Sequence, residues 1–225
     1  MMASSSSESE TIQSRWQAIH AECPDSVNLL AVSKGHPAMA VRELAALGQV
    51  DFGESRVQEA LPKQQDLEDL SSLRWHFIGR LQANKVRAVV RAFPVIHSID
   101  SQGLAERTSR IAVEENRIPE VFFQVKLRED PAKGGWEPDA LREVWPQLQS
   151  LPGLKPIGLM TMAPLGLGLE DRQSLFHDCR TLADELALSE CSMGMSGDWK
   201  QAAKAGATWV RVGSGLFGPR PERLV

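Results

Sequence analysis

Eight times along this chain an apolar, β-branched or aromatic run gives way to an amphipathic stretch, and that rhythm is what most constrains the fold. The runs fall at 27–33, 50–53, 74–79, 95–100, 121–127, 155–162, 190–195 and 208–213. Each is short, as strands are, and each but the last is followed by a helical pattern or turn. Pro37 and Pro138 stand where helices favour proline, in the first turn, and Gly48 closes one of them. A helix over about 10–22 precedes the first run. Strands alternating with helices imply a parallel sheet covered by helices. Eight such units in 225 residues suit a closed (β/α)8 TIM barrel, with an open doubly wound sheet of fewer strands as the competing reading. Residues 10–225 are read as one domain, and the serine- and glutamate-rich residues 1–9 as a disordered leader.

Composition excludes several classes of function. With 25 basic and 29 acidic residues scattered along the chain, the formal charge of −4 offers no field for nucleic acid or an anionic membrane. No apolar run approaches the roughly 20 residues that span a bilayer. Cys23, Cys179 and Cys191 have neither metal-ligand spacing nor an even count, so disulfides and zinc are not expected and a cytoplasmic location is.

In a closed parallel barrel the working residues gather at the C-terminal ends of the strands. The first run ends in Ser33-Lys34 after almost wholly apolar residues. A lysine held at the barrel mouth and partly desolvated is a candidate nucleophile toward an aldehyde; a solvated surface lysine is the competing reading. Two further segments supply backbone donors. Ser192-Met-Gly-Met-Ser-Gly-Asp-Trp199 leads from a strand into a short helix, and Arg211-Val-Gly-Ser-Gly-Leu-Phe-Gly218 follows the last strand. Barrels often bind phosphate with these last two loops, and Ser196, Gly213 and Ser214 are the candidate contacts. Helix capping by Ser196 or Asp198 competes with an anion site there. Gly134-Gly135 reads as a mobile loop, a candidate lid, and Trp136, Trp145, Trp199 and Trp209 as packing between barrel and helices. His20, His36 and His177 have no ligand spacing and are expected on surfaces or packed faces.

The segments Ala31-Val-Ser-Lys-Gly35, Phe52-Gly-Glu-Ser-Arg-Val-Gln-Glu59, Trp75-His-Phe-Ile-Gly-Arg-Leu-Gln-Ala-Asn-Lys85, Val95-Ile-His-Ser-Ile-Asp100, Gly158-Leu-Met-Thr-Met162, 188–199 and 210–218 resemble, in order, those of the pyridoxal 5′-phosphate (PLP) homeostasis protein family. The resemblance runs from about residue 10 to 220. It implies a barrel like the N-terminal domain of alanine racemase, with PLP as the cofactor. Lys34 matches the lysine that forms the Schiff base, Ser196, Gly213 and Ser214 match the phosphate contacts, and Arg211 matches the arginine facing the pyridine nitrogen. Ser55 stands where the family usually has asparagine. His76 and Met160 lie in matching motifs and are carried as further cofactor neighbours; for Met160, core packing is the competing reading.

The resemblance further implies a PLP carrier taking part in vitamin B6 homeostasis and amino- and keto-acid balance, without turnover of its own. Arginine can only donate a hydrogen bond, so Arg211 favours an unprotonated ring nitrogen, a weaker electron sink than transaminases use. Related racemases take their second base, a tyrosine, from a second domain and a partner subunit. This chain has no tyrosine and runs seven residues past Gly218, so no such domain is expected, and a monomer is. Two alternatives are kept: a weak amino-acid racemase using His76 or another loop group as second base, and a regulatory adaptor that responds to PLP. PLP-dependent apo-enzymes or a regulatory protein are the expected partners.

Overall fold

The computed structural model describes residues 11–131 and 133–219, so the expected leader lies outside the described residues. After α1 (Ile12–Glu22) the chain runs β1 (Asn28–Val32), α2 (Ala38–Ala46), β2 (Asp51–Glu54), α3 (Val57–Asp66), β3 (Arg74–Phe77), α4 (Val86–Ala92), β4 (Val95–Ile99) and α5 (Gln102–Glu114). It continues through β5 (Glu120–Gln124), α6 (Pro138–Leu148), β6 (Lys155–Met160), α7 (Leu169–Glu185), β7 (Glu190–Met195), α8 (Trp199–Lys204), β8 (Trp209–Val212) and α9 (Ser214–Phe217). The strands pair in sequence order and the barrel closes between β8 and β1, all parallel. A (β/α)8 barrel is therefore what the chain forms, and the open sheet is excluded. The glycine-rich segment after β8, expected to be without a helix, winds into the single turn of α9.

Alternation along the strands divides the apolar residues into two layers. Leu30, Val95, Phe122, Met160 and Trp209 fill the barrel interior, while Phe52, Phe123, Leu44 and Phe176 belong to the larger core between strands and helices. Trp209 thus packs inside the barrel and not under a helix, with its indole N–H donating to Glu190 at 3.0 Å. Trp136, Trp145 and Trp199 do sit in the outer core. All three cysteines are free. Among the described residues no helix is long and apolar enough to cross a membrane.

The segment carrying Gly134 and Gly135 is tied to the sheet, contrary to its reading as a mobile lid. Trp136 N–H donates to the Gln124 carbonyl at 2.7 Å, Lys126 N–H to the Trp136 carbonyl at 2.9 Å, and the Gln124 amide to the Gly134 carbonyl at 2.6 Å. The Trp136 indole adds a bond to the Ile99 carbonyl at 3.0 Å.

A buried ion pair braces the mouth between β1 and β2. Lys63 Nζ donates to Glu54 Oε1 at 2.5 Å and to the Ser33 carbonyl at 2.9 Å, and the Ser33 hydroxyl donates to the same carboxylate oxygen at 2.7 Å. Both charged side chains are buried, and among the described residues Glu54 Oε2 has no hydrogen-bond partner. Removing one partner strands the other charge in a low-dielectric interior. Lys63→Met is accordingly expected to lower unfolding free energy by about 3–5 kcal/mol in urea titrations. A loss below about 1 kcal/mol, the range of exposed pairs, contradicts the role given to this bridge.

Candidate functional site

Lys34 is placed by the backbone on either side of it. Ser33 N–H donates to the Gly53 carbonyl of β2 at 3.1 Å, and His36 N–H returns to the Ser33 carbonyl at 3.0 Å. With the Lys63 bond to that same carbonyl, the turn carrying Lys34 is fastened to two elements before any ligand arrives. Closure of the barrel does the rest. Leu30 pairs with Arg211 and Ala31 with Val212, so the loop after β1 lies beside the loop after β8.

The mouth so formed holds a cavity of about 370 Å³. It is lined by Lys34, Met160, Ser196, Arg211, Gly213 and Ser214, with Val32, His36, Ile78 and Met162 among the remaining residues. Six of the eight residues singled out in the sequence are thereby brought together. Ser55 and His76 are not among the lining. Ser55 is half-buried beyond the end of β2, and its backbone carbonyl occupies the space where a side chain at Gly79 would begin. His76 is fully buried inside the barrel. Its Nε2 lies 2.9 Å from Asp51 Oδ1 and its Nδ1 2.9 Å from His97 Nε2. With both ring nitrogens engaged and no face on the cavity, His76 cannot act as a second base from the mouth.

His36, expected from the sequence on a surface or a packed face, is packed and also belongs to the cavity. It lines the cavity, buried and stacked on Phe217 at 4.8 Å between ring centroids. Its position two residues after Lys34, on the turn that barrel logic places at the mouth, was the available signal. Pairing with Phe217 across the closure of the barrel was not legible.

Opposite Lys34 the last two loops present backbone donors. Gly213 N–H and Gly215 N–H both point to the Ser196 hydroxyl, at 3.3 and 3.4 Å. These are long contacts for N–H···O bonds, so the donors are held together but weakly used. Ser196 therefore does not cap α8. Asp198 instead accepts from Met195 N–H at 2.6 Å, holding the loop that carries Ser196. Gly194 makes that loop possible: its φ is +86°, and a Cβ there would stand 2.5 Å from the Cβ of Ala202.

Arg211 projects into the interior from β8 and forms the cavity floor with Met160. It donates to the Ser192 carbonyl at 2.6 Å, to the Ser192 hydroxyl at 2.8 Å and to the Thr161 carbonyl at 2.9 Å. A guanidinium has more N–H donors than these three bonds take up. Burial pulls its pKa down to about 10, so it remains a cation at neutral pH. The cavity can thus hold an anion at its 196–197 and 213–215 side. It offers a hydrogen-bond donor at its floor and apolar walls from Val32, Ile78 and Met160, and it presents an amine at its rim.

Fold and site together define a parallel (β/α)8 barrel whose mouth is shaped to hold a small anionic ligand, with a lysine within the same cavity. Residues 8–221 match the family described as alanine racemase, N-terminal domain. A pyridoxal phosphate homeostasis protein of Synechocystis is 46% identical over 211 residues, covering 91% of this chain and 97% of its own. A second, from Aquifex aeolicus, is 42% identical over 198 residues, covering 85% of this chain and 86% of its own. The chain belongs to the alanine racemase N-terminal domain family and, within it, to the pyridoxal phosphate homeostasis proteins. Among solved structures, PipY of Synechococcus elongatus with PLP bound superposes at a TM-score of 0.89 with 50% identity, over 92% of this chain and all of PipY. An alanine racemase of Clostridium difficile shares the fold at a TM-score of 0.74 and 17% identity; the match covers 95% of this chain and 58% of the racemase.

The two interior histidines make stability depend on pH. Burial lowers the pKa of His76 against the pull of Asp51, and lowers that of His97 well below its ordinary value, helped by His76 and Arg211. The unfolded chain then binds more protons than the folded one below about pH 6.5. Stability is therefore complete above that value and falls as the pH drops toward the lowered folded values. Urea midpoints are expected to decline between pH 7.5 and 5.5, and to decline less in His97→Gln. An equal slope in the two proteins contradicts the burial of a neutral His97.

Proposed function

We propose that the cavity binds PLP, held covalently at Lys34, and that the protein stores and releases this cofactor without transforming amino acids. The observation that carries the proposal is the meeting of Lys34, Arg211 and the Ser196–Gly213–Ser214 donors in one cavity of about 370 Å³, a volume suited to a small ligand. The 50% identity to PipY, solved with PLP bound, supports it.

The residues fit each part of the molecule. PLP supplies, when bound, an aldehyde able to condense with a primary amine. Lys34 provides that amine on a turn fastened from both sides, which limits the entropy lost on attachment. Ser196, with Gly213 and Ser214, would provide hydroxyl and backbone donors for the phosphate, which would replace the long contacts that Gly213 and Gly215 N–H make with the Ser196 hydroxyl. Val32, Ile78 and Met160 give the pyridine ring apolar walls. Arg211 would face the ring nitrogen as a donor and, being unable to accept, would favour its unprotonated form.

Storage is favoured over turnover because the acid–base equipment is sparse. The chain has no tyrosine, and His76 is turned into the barrel interior. A racemase reading is left with His36, which shares the cavity with Lys34. We take the protein to be a cytoplasmic monomer, with PLP-dependent apo-enzymes or a regulatory protein as recipients. The balanced charge and the free cysteines support that setting.

Borohydride reduction of the PLP-loaded protein is expected to fix one cofactor mass on the peptide containing Lys34. Lys34→Ala is expected to abolish that adduct; the same stoichiometry in the variant refutes the assignment. Arg211→Ala is expected to weaken retention by about 1.5–3 kcal/mol, roughly a ten- to hundredfold rise in Kd. Incubation with single-enantiomer amino acids, followed by optical rotation, is expected to show no turnover above that of free PLP. Sustained turnover lost in His36→Ala would establish the racemase instead.

A further inference from the structure

Two histidines, a serine and an aspartate occupy the barrel interior below Arg211, where apolar side chains would ordinarily fill the space. They form an unbroken line. Arg211 donates to Ser192 Oγ at 2.8 Å, and Ser192 Oγ lies 2.9 Å from His97 Nδ1. His97 Nε2 lies 2.9 Å from His76 Nδ1, and His76 Nε2 lies 2.9 Å from Asp51 Oδ1. Ser192, His97 and His76 are essentially inaccessible to solvent. Asp51 is the first residue of β2, at the N-terminal end of the barrel, away from the mouth where Lys34 and Arg211 meet the cavity.

Proton counting gives this line a direction. A carboxylate only accepts, so His76 must present Nε2–H to Asp51. A neutral imidazole has one N–H, which leaves His76 Nδ1 as an acceptor and requires Nε2–H on His97. His97 Nδ1 is then an acceptor too, and takes the hydroxyl proton of Ser192. Ser192 Oγ keeps its lone pairs for the Arg211 N–H. Every contact receives one proton and none is left with two donors or two acceptors. In the reverse order His76 Nε2 would face the carboxylate with lone pair against lone pair. Protonating His76 would satisfy the contacts as well, but burial opposes it. The charged groups facing this end are few. Arg74 Nη1 is 4.0 Å from Asp51, Arg74 also pairs with Glu120, and Glu120 pairs with Lys155.

We propose that Asp51 is a positioning residue for Arg211, acting across the barrel through a one-way chain of donors, Arg211 to Ser192 to His97 to His76 to Asp51. The carboxylate fixes both histidine tautomers, and through them makes the Ser192 oxygen an acceptor for the guanidinium. Arg211 is thereby held as a donor in one orientation at the cavity floor before any ligand enters. Its meaning for cofactor chemistry rests on the proposed PLP site, whereas the chain itself is a property of the protein alone.

The test is ¹⁵N NMR of histidine-labelled protein without PLP, so failure of Lys34 to take up cofactor leaves it unaffected. The wild-type protein is expected to show His76 and His97 both protonated on Nε2 and bare on Nδ1. Asp51→Ala is expected to alter the tautomer of His97, a residue that does not touch position 51. Asp51→Asn, which keeps a carbonyl acceptor in place, is expected to restore the wild-type pattern. A merely structural Asp51 would leave His97 unmoved in either variant. Either histidine protonated on Nδ1 in the wild type, or a His97 signal indifferent to Asp51→Ala, overturns the proposal. If Asp51→Ala does not fold, the wild-type tautomers together with Ser192→Ala decide it. Loss of the hydroxyl is then expected to change the His97 Nδ1 resonance, and an unchanged resonance overturns the chain.

Discussion

Closure of the parallel barrel between β8 and β1 is the constraint on which the rest of the structure depends. Leu30 and Arg211 are 181 positions apart in sequence, yet the ladder pairs them and sets the ends of the two strands side by side. Without it Lys34 would stand at the edge of an open sheet, far from the glycine-rich turn that follows Val212. With it the amine, the guanidinium and the backbone donors of two loops converge on one cavity. Function here is a consequence of topology before it is a consequence of any single side chain.

The two ends of the barrel are then specialised by polar groups that a purely apolar core would lack. Near the mouth, Lys63, Glu54 and Ser33 brace the turn that carries Lys34. Through the middle, Ser192, His97 and His76 connect Arg211 to Asp51. Each group is expensive to bury alone and acceptable only when its partners are in place. Such networks therefore specify one arrangement of the strands, and they make Arg211 part of a fixed scaffold. The result is a donor at the cavity floor that is oriented before any ligand enters.

Much of this was legible in the residues, and the limits have physical causes. All eight strands stood out because runs such as Leu29–Val32 and Val121–Phe123 combine β-branched or aromatic residues with sharp boundaries. Lys34, Ser196, Gly213 and Ser214 stand out by their places at strand ends, Arg211 enters through the family resemblance, and all five line one cavity. His76 lies away from the cavity lining: a histidine near a strand end can face either the mouth or the interior, and the shear of the barrel, invisible in sequence, decides which. Ser55 shares the family's motif but lies outside the cavity lining, its carbonyl packed against Gly79. The place of His36 in the cavity is not legible in sequence, because its neighbour Phe217 comes from the other end of the chain. Gly134 and Gly135 suggested mobility, whereas the hydrogen bonds of Trp136 and Gln124 fasten them.

The central claim is that one cavity binds PLP with its aldehyde carbon at Lys34, its phosphate at the last two loops and its ring nitrogen at Arg211. A crystal structure of the protein grown with PLP tests all three placements at once. The expected result is continuous density from Lys34 Nζ into the ligand, phosphate oxygens within hydrogen-bond reach of Ser196 and the 213–214 backbone, and the ring nitrogen at the Arg211 guanidinium. PLP bound elsewhere, or in this cavity with its phosphate toward Lys34, would contradict the account.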